Sequence, residues 1–237
     1  MPVGFDVADG IKWYIVFLVS TSLHEASHAW VAFKLGDPTA AAKGLATVAP
    51  SPHIKRSPMG MVAVPLVSFA LNGWMIGWAS VPFDINWALK YPRRAAAMAL
   101  AGPLANITLV LLAVALMRLG VEWGLLQGNP SPGFMNVVFP VDRSEGLGLF
   151  AAKFLSLFFS LNLLLAAFNL LPLPPLDGSS LPMLALPSGL ARKYAEAIRQ
   201  PTFALFGIIL AWNMFGPIFR PLFRQAANLL YFLLGPR

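Results

Sequence analysis

Two histidines bracket a glutamate in the stretch Thr21-Ser22-Leu23-His24-Glu25-Ala26-Ser27-His28-Ala29-Trp30. On a helix His24 and His28 lie one turn apart on one face, so two imidazoles can reach a single metal ion while Glu25 stands beside it. A catalytic zinc needs a third protein ligand and an open position for water, whose pKa it lowers toward ~7, and a neighbouring carboxylate can take that water's proton. Glu25 is placed to be that base. The competing explanation is three satisfied core polar residues, and two facts weigh against it. The chain has only three histidines, and two of them fall at the one spacing that brackets a glutamate. Ionisable groups inside an apolar span cost about 2.5 kcal/mol or more each unless partnered, so three together require something that stabilises them.

The surrounding composition says where this chemistry sits. Of 237 residues 57% are hydrophobic and 11% are charged, against about 25% charged for an ordinary globular domain. Mean hydropathy is +0.68, and several uncharged runs approach the ~20 residues that cross a hydrocarbon core. The expectation is an all-α polytopic membrane protein with about four to six transmembrane helices. Cysteine is absent, which excludes disulfides, thiolate zinc sites and thiol nucleophiles and leaves any metal to His, Asp and Glu. The net charge of +7 is read as the basic bias of cytoplasmic loops rather than as a nucleic-acid surface. Acidic Asp6 and Asp9 precede the first apolar run without a basic start or a small-residue cleavage site, so that run is expected to stay.

Candidate spans are Trp13 to Phe33, Ala95 to Met117, Phe154 to Leu176 and Pro201 to Phe219, with a shorter apolar tail from Ala226 to Gly235. Ser57 to Phe83 is uncharged but broken by Pro58, Gly60, Pro65, Gly73, Gly77 and Pro82. If it crossed, the basic loops would alternate between sides and select no orientation. If it dips in and returns, Lys34, Lys43, Lys55, Arg56, Lys90, Arg93, Arg94, Arg192, Lys193 and Arg199 share one face, against Lys12, Arg118, Arg143 and Lys153 on the other. That bias marks the first face as cytosolic, and Gly- and Pro-broken backbone is tolerated at membrane depth beside protein or a watery cavity. A re-entrant segment near the site, in the form of a β-hairpin if it is sheet-like, is therefore expected, and the Gly120 to Gly148 connection is taken as too short to be a folded module.

This topology selects the third ligand. Asp6, Asp9, Glu122, Asp142 and Glu145 fall on the outer side, and Asp37, Asp84, Asp177 and Glu196 on the inner side, where His28 lies about 7–8 Å of helix rise from the end of its span. Asp177 fits best. It ends Asn169-Leu170-Leu171-Pro172-Leu173-Pro174-Pro175-Leu176-Asp177-Gly178, where prolines stop regular helix and Gly178 permits close approach.

His24-Glu25-Ala26-Ser27-His28, Gly102-Pro103-Leu104-Ala105-Asn106 and the Asn169 to Asp177-Gly178 motif together resemble the site-2 proteases, zinc-dependent intramembrane metalloproteases. Gly77-Trp78-Ala79-Ser80-Val81-Pro82 also resembles a loop of the compact bacterial members. The likeness covers roughly residues 11 to 180. It implies that His24, His28 and Asp177 bind one Zn2+, that Glu25 activates water, and that Asn169 holds substrate or the developing oxyanion. A buried amide has donors for such an oxygen, although a helix-to-helix hydrogen bond would also account for Asn169. Asn106 is assigned to packing beside Gly102, and His53 to a surface or loop-pinning role in Pro50-Ser51-Pro52-His53. Met59, Met61, Met75 and the Phe-rich stretch from Phe154 to Phe168 are taken as lipid or core contacts. Trp13, Trp30, Trp74, Trp78, Trp87 and Tyr91 are taken as interfacial anchors, Trp30 and Trp74 fitting a cavity lining equally well.

The expected whole is one membrane-embedded metalloprotease domain over 1–237, with its core at about 11–180 and C-terminal helices at about 201–235, and without the PDZ or CBS domains of many relatives. It would cleave transmembrane protein or peptide substrates within the lipid bilayer of a bacterial cytoplasmic membrane, near the cytosolic face. A membrane-protein regulator or a second copy would be its partners, and nucleic acid would not. Two alternatives use the same ligands: a metal-binding transporter, which leaves Glu25 without a purpose, and a non-catalytic scaffold.

Overall fold

The computed structural model describes residues 6–142 and 146–234, so Arg143, Glu145 and Gly235, all used in the reading above, lie outside the described residues. Helix α1 spans Val7–Lys34 and is opened by Asp6, whose carboxylate accepts from the Ala8 and Asp9 N–H groups, the usual way of satisfying orphan helix donors. Short α2 (Pro50–Arg56) precedes a π turn (Met59–Ala63) that runs into α3 (Val64–Asn72), and α4 (Ile85–Lys90) leads to the long α5 (Pro92–Glu122). Strands β1 (Leu126–Gly133) and β2 (Asn136–Pro140) follow, then α6 (Leu147–Asn169), a 3-10 segment (Asp177–Leu184), α7 (Ser188–Ile198) and α8 (Pro201–Leu234). The core forms where α1, α5 and α6 pack on one another, around Val16, Phe17, Met117, Leu157 and Phe159.

Among the described residues three helices, α5, α6 and α8, are long and apolar enough to cross a membrane, fewer than the four to six expected. The shortfall has a physical source in α1. Its 28 residues reach about 42 Å at 1.5 Å per residue, but Ser20, Thr21, Ser22, His24, Glu25 and His28 dilute its apolar character, and all six are buried in the bundle. The residues that could do chemistry are the ones that disguise the helix.

Residues 57–83 are helical on the way out and return without regular secondary structure, which corrects the β-hairpin form expected for them. The chain turns at Gly73, whose φ of 74° is a conformation that favours glycine. Trp78 N–H donates to Gly60 O at 3.0 Å, and Arg56 Nε to Ser80 O at 2.8 Å. The segment therefore leaves and rejoins the bundle at one end, while Phe69 near its tip packs against Gly10. The antiparallel hairpin is β1–β2, within the Gly120 to Gly148 connection. Ser156 Oγ pins it to α6 by accepting from Val137 N–H at 3.0 Å and Val138 N–H at 3.2 Å.

Helix α8 is a single helix of 34 residues rather than a crossing with a separate tail. Past its internal Pro217 and Pro221 it meets the hairpin and the end of α5, with Tyr231 OH donating to Val137 O at 3.0 Å and Arg118 donating to Leu233 O. The tryptophans divide. Trp30 and Trp78 are exposed, while Trp13 and Trp87 are buried, Trp13 stacking on Phe134 at 5.5 Å, so those two are core residues and not interfacial anchors.

Candidate metal centre

Helix α1 presents His24 and His28 on its buried side, and the turn after α6 carries Asp177 back to them. Asp177 Oδ2 lies 3.2 Å from His24 Nε2 and 3.3 Å from His28 Nε2, and the two Nε2 atoms are 3.0 Å apart. Each imidazole is held from behind: His24 Nδ1 donates to Asn106 Oδ1 at 2.6 Å and His28 Nδ1 to Met98 O at 2.8 Å, both acceptors on α5. With hydrogen on each Nδ1, both Nε2 atoms offer lone pairs. Asp177 Oδ2 is itself buried without a hydrogen-bond donor. Three groups able to offer lone pairs thus converge, an arrangement that a shared cation stabilises. Tetrahedral zinc with ligands at about 2.0–2.2 Å separates neighbouring donor atoms by about 3.3 Å, so this donor set fits zinc.

Space for the ion comes from Gly102 of α5. A Cβ there would collide with the Nε2 atoms of His24 and His28. What lies against Gly102 is therefore the imidazole pair. Gly178 does what was expected of it, since a Cβ there would collide with the carbonyl oxygens of Leu170 and Leu171. The tight path past α6 that delivers Asp177 depends on that missing side chain.

Glu25 follows His24 on α1 and is buried. Asn169 ends α6, eight residues before Asp177 in the chain, and its amide donates to Leu165 O at 3.0 Å within its own helix. Asn106 is fully buried and contacts a candidate ligand directly, which its assignment to packing missed. Asn162, in the Phe-rich stretch read as lipid or core contacts, was missed outright; it accepts from Asn106 Nδ2 at 2.8 Å. The usable signal was a lone carboxamide in an apolar run, costly unless partnered. His53 is buried, not on the surface, and donates to Thr47 O at 2.8 Å, which makes it a loop pin.

An apolar cavity of about 630 Å3 lies between the return segment at Trp74, Met75 and Gly77, the α6 residues Leu165 and Phe168, and Phe215 of α8. Two carboxylates brace the ends of the bundle. Burial pushes Asp37 up, but Thr39 and the Asp84 N–H donate to it and hold it below the usual carboxylate range. Burial likewise pushes Asp9 up, and Lys12 and Lys153, at 2.9 and 3.2 Å, outweigh that and bring it down.

The sequence profile of peptidase family M50 matches residues 12–213. Over 185 residues, 77% of this chain and 73% of the relative, the sequence is 35% identical to "Putative zinc metalloprotease YwhC" of Bacillus subtilis. It is 31% identical over 162 residues to "Putative zinc metalloprotease Rip2" of Mycobacterium tuberculosis, spanning 68% of this chain and 52% of that relative. No solved structure matches the chain. A cluster of three candidate metal ligands among apolar helices and a profile match across most of the length agree: the chain is a membrane protein of peptidase family M50, the site-2 protease family, and a zinc metalloprotease.

Proposed function

We propose that the protein is an intramembrane endopeptidase that hydrolyses peptide bonds within or near transmembrane segments of membrane-protein substrates, as in regulated intramembrane proteolysis. The carrying observation is the convergence of His24, His28 and Asp177 within 4.8 Å, with Glu25 buried beside them on a helix packed against α5 and α6. In this reading His24, His28 and Asp177 hold zinc, which when bound supplies a Lewis acid and an acidified water. Glu25 takes the proton of the attacking water and passes it to the leaving amine. Asn169 turns its amide from Leu165 O toward the oxygen that gains charge, where an oriented donor is worth several kcal/mol. The apolar cavity takes the substrate segment, and the return segment at 73–83 pairs with it as a strand, because a helix hides its peptide bonds and a strand exposes them. The whole acts as a single membrane-embedded unit.

The bacterial cytoplasmic membrane is the proposed location, with the centre near the cytosolic face. Its support is the gathering of cations at the metal-bearing end: Arg94 donates to Leu35 O, Arg93 donates to Leu186 O, and Arg199 lies over Phe83. Substrates or regulators would be membrane proteins, a second copy included. The transporter and scaffold readings leave Glu25 idle. The test uses detergent-purified protein loaded with one zinc per chain and a generic transmembrane substrate. Glu25→Gln should retain zinc and lose cleavage, and cleavage at the wild-type rate would remove the proposal.

A further inference from the structure

One of the two imidazoles owes its orientation to the backbone and the other to a chain of amides. His28 Nδ1 meets the Met98 carbonyl, which can only accept. His24 Nδ1 meets the side chain of Asn106, and a carboxamide can present either its oxygen or its NH2. If Asn106 turned its NH2 toward His24, the ring would take the other tautomer and place a hydrogen on Nε2, where the metal has to bind. Something must fix the amide.

The fixing contacts lead away from the centre to α6. Asn106 Nδ2 donates to Asn162 Oδ1 at 2.8 Å, and Asn162 Nδ2 donates to Phe158 O at 2.8 Å and to Ser20 Oγ at 2.9 Å. Reversing Asn162 would set its oxygen against the Phe158 carbonyl, two acceptors in contact. That end cannot flip. With Asn162 fixed, its Oδ1 requires the NH2 of Asn106, and Asn106 Oδ1 is then left for His24 Nδ1. Asn106, Asn162 and Ser20 are fully buried, so water does not substitute for any member.

We infer that Asn106 and Asn162 form a two-amide relay through which the Phe158 carbonyl of α6 sets the tautomer of His24, presenting its Nε2 lone pair to the metal. Both asparagines are positioning residues. The relay also fastens α6, which ends at Asn169 and delivers Asp177, to the ligand-bearing α1 through α5. Two of the three metal contacts thereby depend on one helix. The inference rests on the reading of His24 as a metal ligand.

The test measures zinc affinity by chelator competition on the full chain in detergent, alongside 15N-histidine NMR, which is tractable because the chain has three histidines. Asn106→Leu removes the acceptor at His24 and should weaken zinc binding by about 10- to 100-fold, the range for lost partners of metal-bound histidines. Asn162→Leu touches no ligand and should still weaken it by about tenfold, with the His24 Nδ1–H resonance moving or exchanging faster. An Asn162→Leu protein with wild-type affinity and an unmoved Nδ1–H overturns the relay. A wild type that binds no zinc sinks the protease reading instead, and the Nδ1–H comparison on the zinc-free proteins then judges the relay by itself.

Discussion

The α1–α5–α6 bundle and helix α8 are built on opposite plans. In the bundle the buried set includes Ser20, His24, Glu25, His28, Asn106, Ser156 and Asn162, and the amides and imidazoles among them bond across helices. Helix α8 buries little beyond Gly207, Ala211, Ala227, Leu230 and Leu234, while Phe203, Phe206 and Trp212 are more than half exposed. In lipid, packing and interhelical hydrogen bonds hold helices together rather than hydrophobic exclusion. The bundle has both, which suits a site needing fixed atoms, and α8 has the loose packing of an element that faces lipid and borders the cavity. Substitutions in the bundle should therefore act on the chemistry, and substitutions on α8 on access.

The largest effect should come from the bundle's carboxylate. General acid–base groups contribute about 10²- to 10⁴-fold, so Glu25→Gln should lower the cleavage rate by at least 100-fold with zinc content unchanged, read by metal analysis and a cleavage assay on one preparation. Next is Gly102→Ala. Its methyl would enter the space shared by both Nε2 atoms, and overpacking of about 1–3 kcal/mol corresponds to roughly 5- to 150-fold weaker zinc binding. A variant that bound zinc normally would show that the histidines can retreat and that the bundle is less fixed than its hydrogen bonds imply.

A third effect is structural and depends on pH. Asp37 is 1% exposed and accepts from Thr39 N–H, Thr39 Oγ1 and Asp84 N–H, tying the end of α1 to the start of α4. Its pKa is lowered in the folded chain, so its contribution is present above the unfolded value near ~3.9 and is lost as pH falls through the folded value. Asp37→Asn should cost about 1–3 kcal/mol at neutral pH and flatten the loss of thermal stability in acid. Wild-type and variant melting curves recorded from neutral to acid pH check this, and parallel curves would count against it.

The same contrast explains what the sequence disclosed. His24, Glu25 and His28 are legible because their spacing is local to one helix, and Asp177 because charge placement restricted the acids to one side. The role of Gly102 and the bond from Asn106 to His24 were not legible, since both depend on which residues face each other across α1 and α5. Asn162 was hidden among phenylalanines for the same reason. The hairpin β1–β2 escaped because Pro130 and Pro132 make β1 a poor strand by composition, and it is the Ser156 hydroxyl on α6 that holds β2. Helix α1 shows the converse: its local pattern is clear, yet its buried polar face leaves it short of the apolarity that marks the three other long helices.

The smallest effects should separate two phenylalanines of α8. Phe206 is 68% exposed and Phe215 lines the cavity, with its ring edge-on to Phe168 at 5.1 Å and stacked near Phe219 at 5.1 Å. Loss of such aromatic contacts is worth about 0.5–1.5 kcal/mol, so Phe215→Ala should change the KM for a transmembrane substrate by roughly two- to tenfold. Its kcat should hold, because no group that moves a proton or binds metal is touched. Phe206→Ala should leave both constants as they are, since lipid replaces the ring on that face. Kinetics of the two variants in one vesicle preparation decide the matter: a fall in kcat for Phe215→Ala would tie α8 to the chemistry, and the division of labour between α8 and the bundle would be lost.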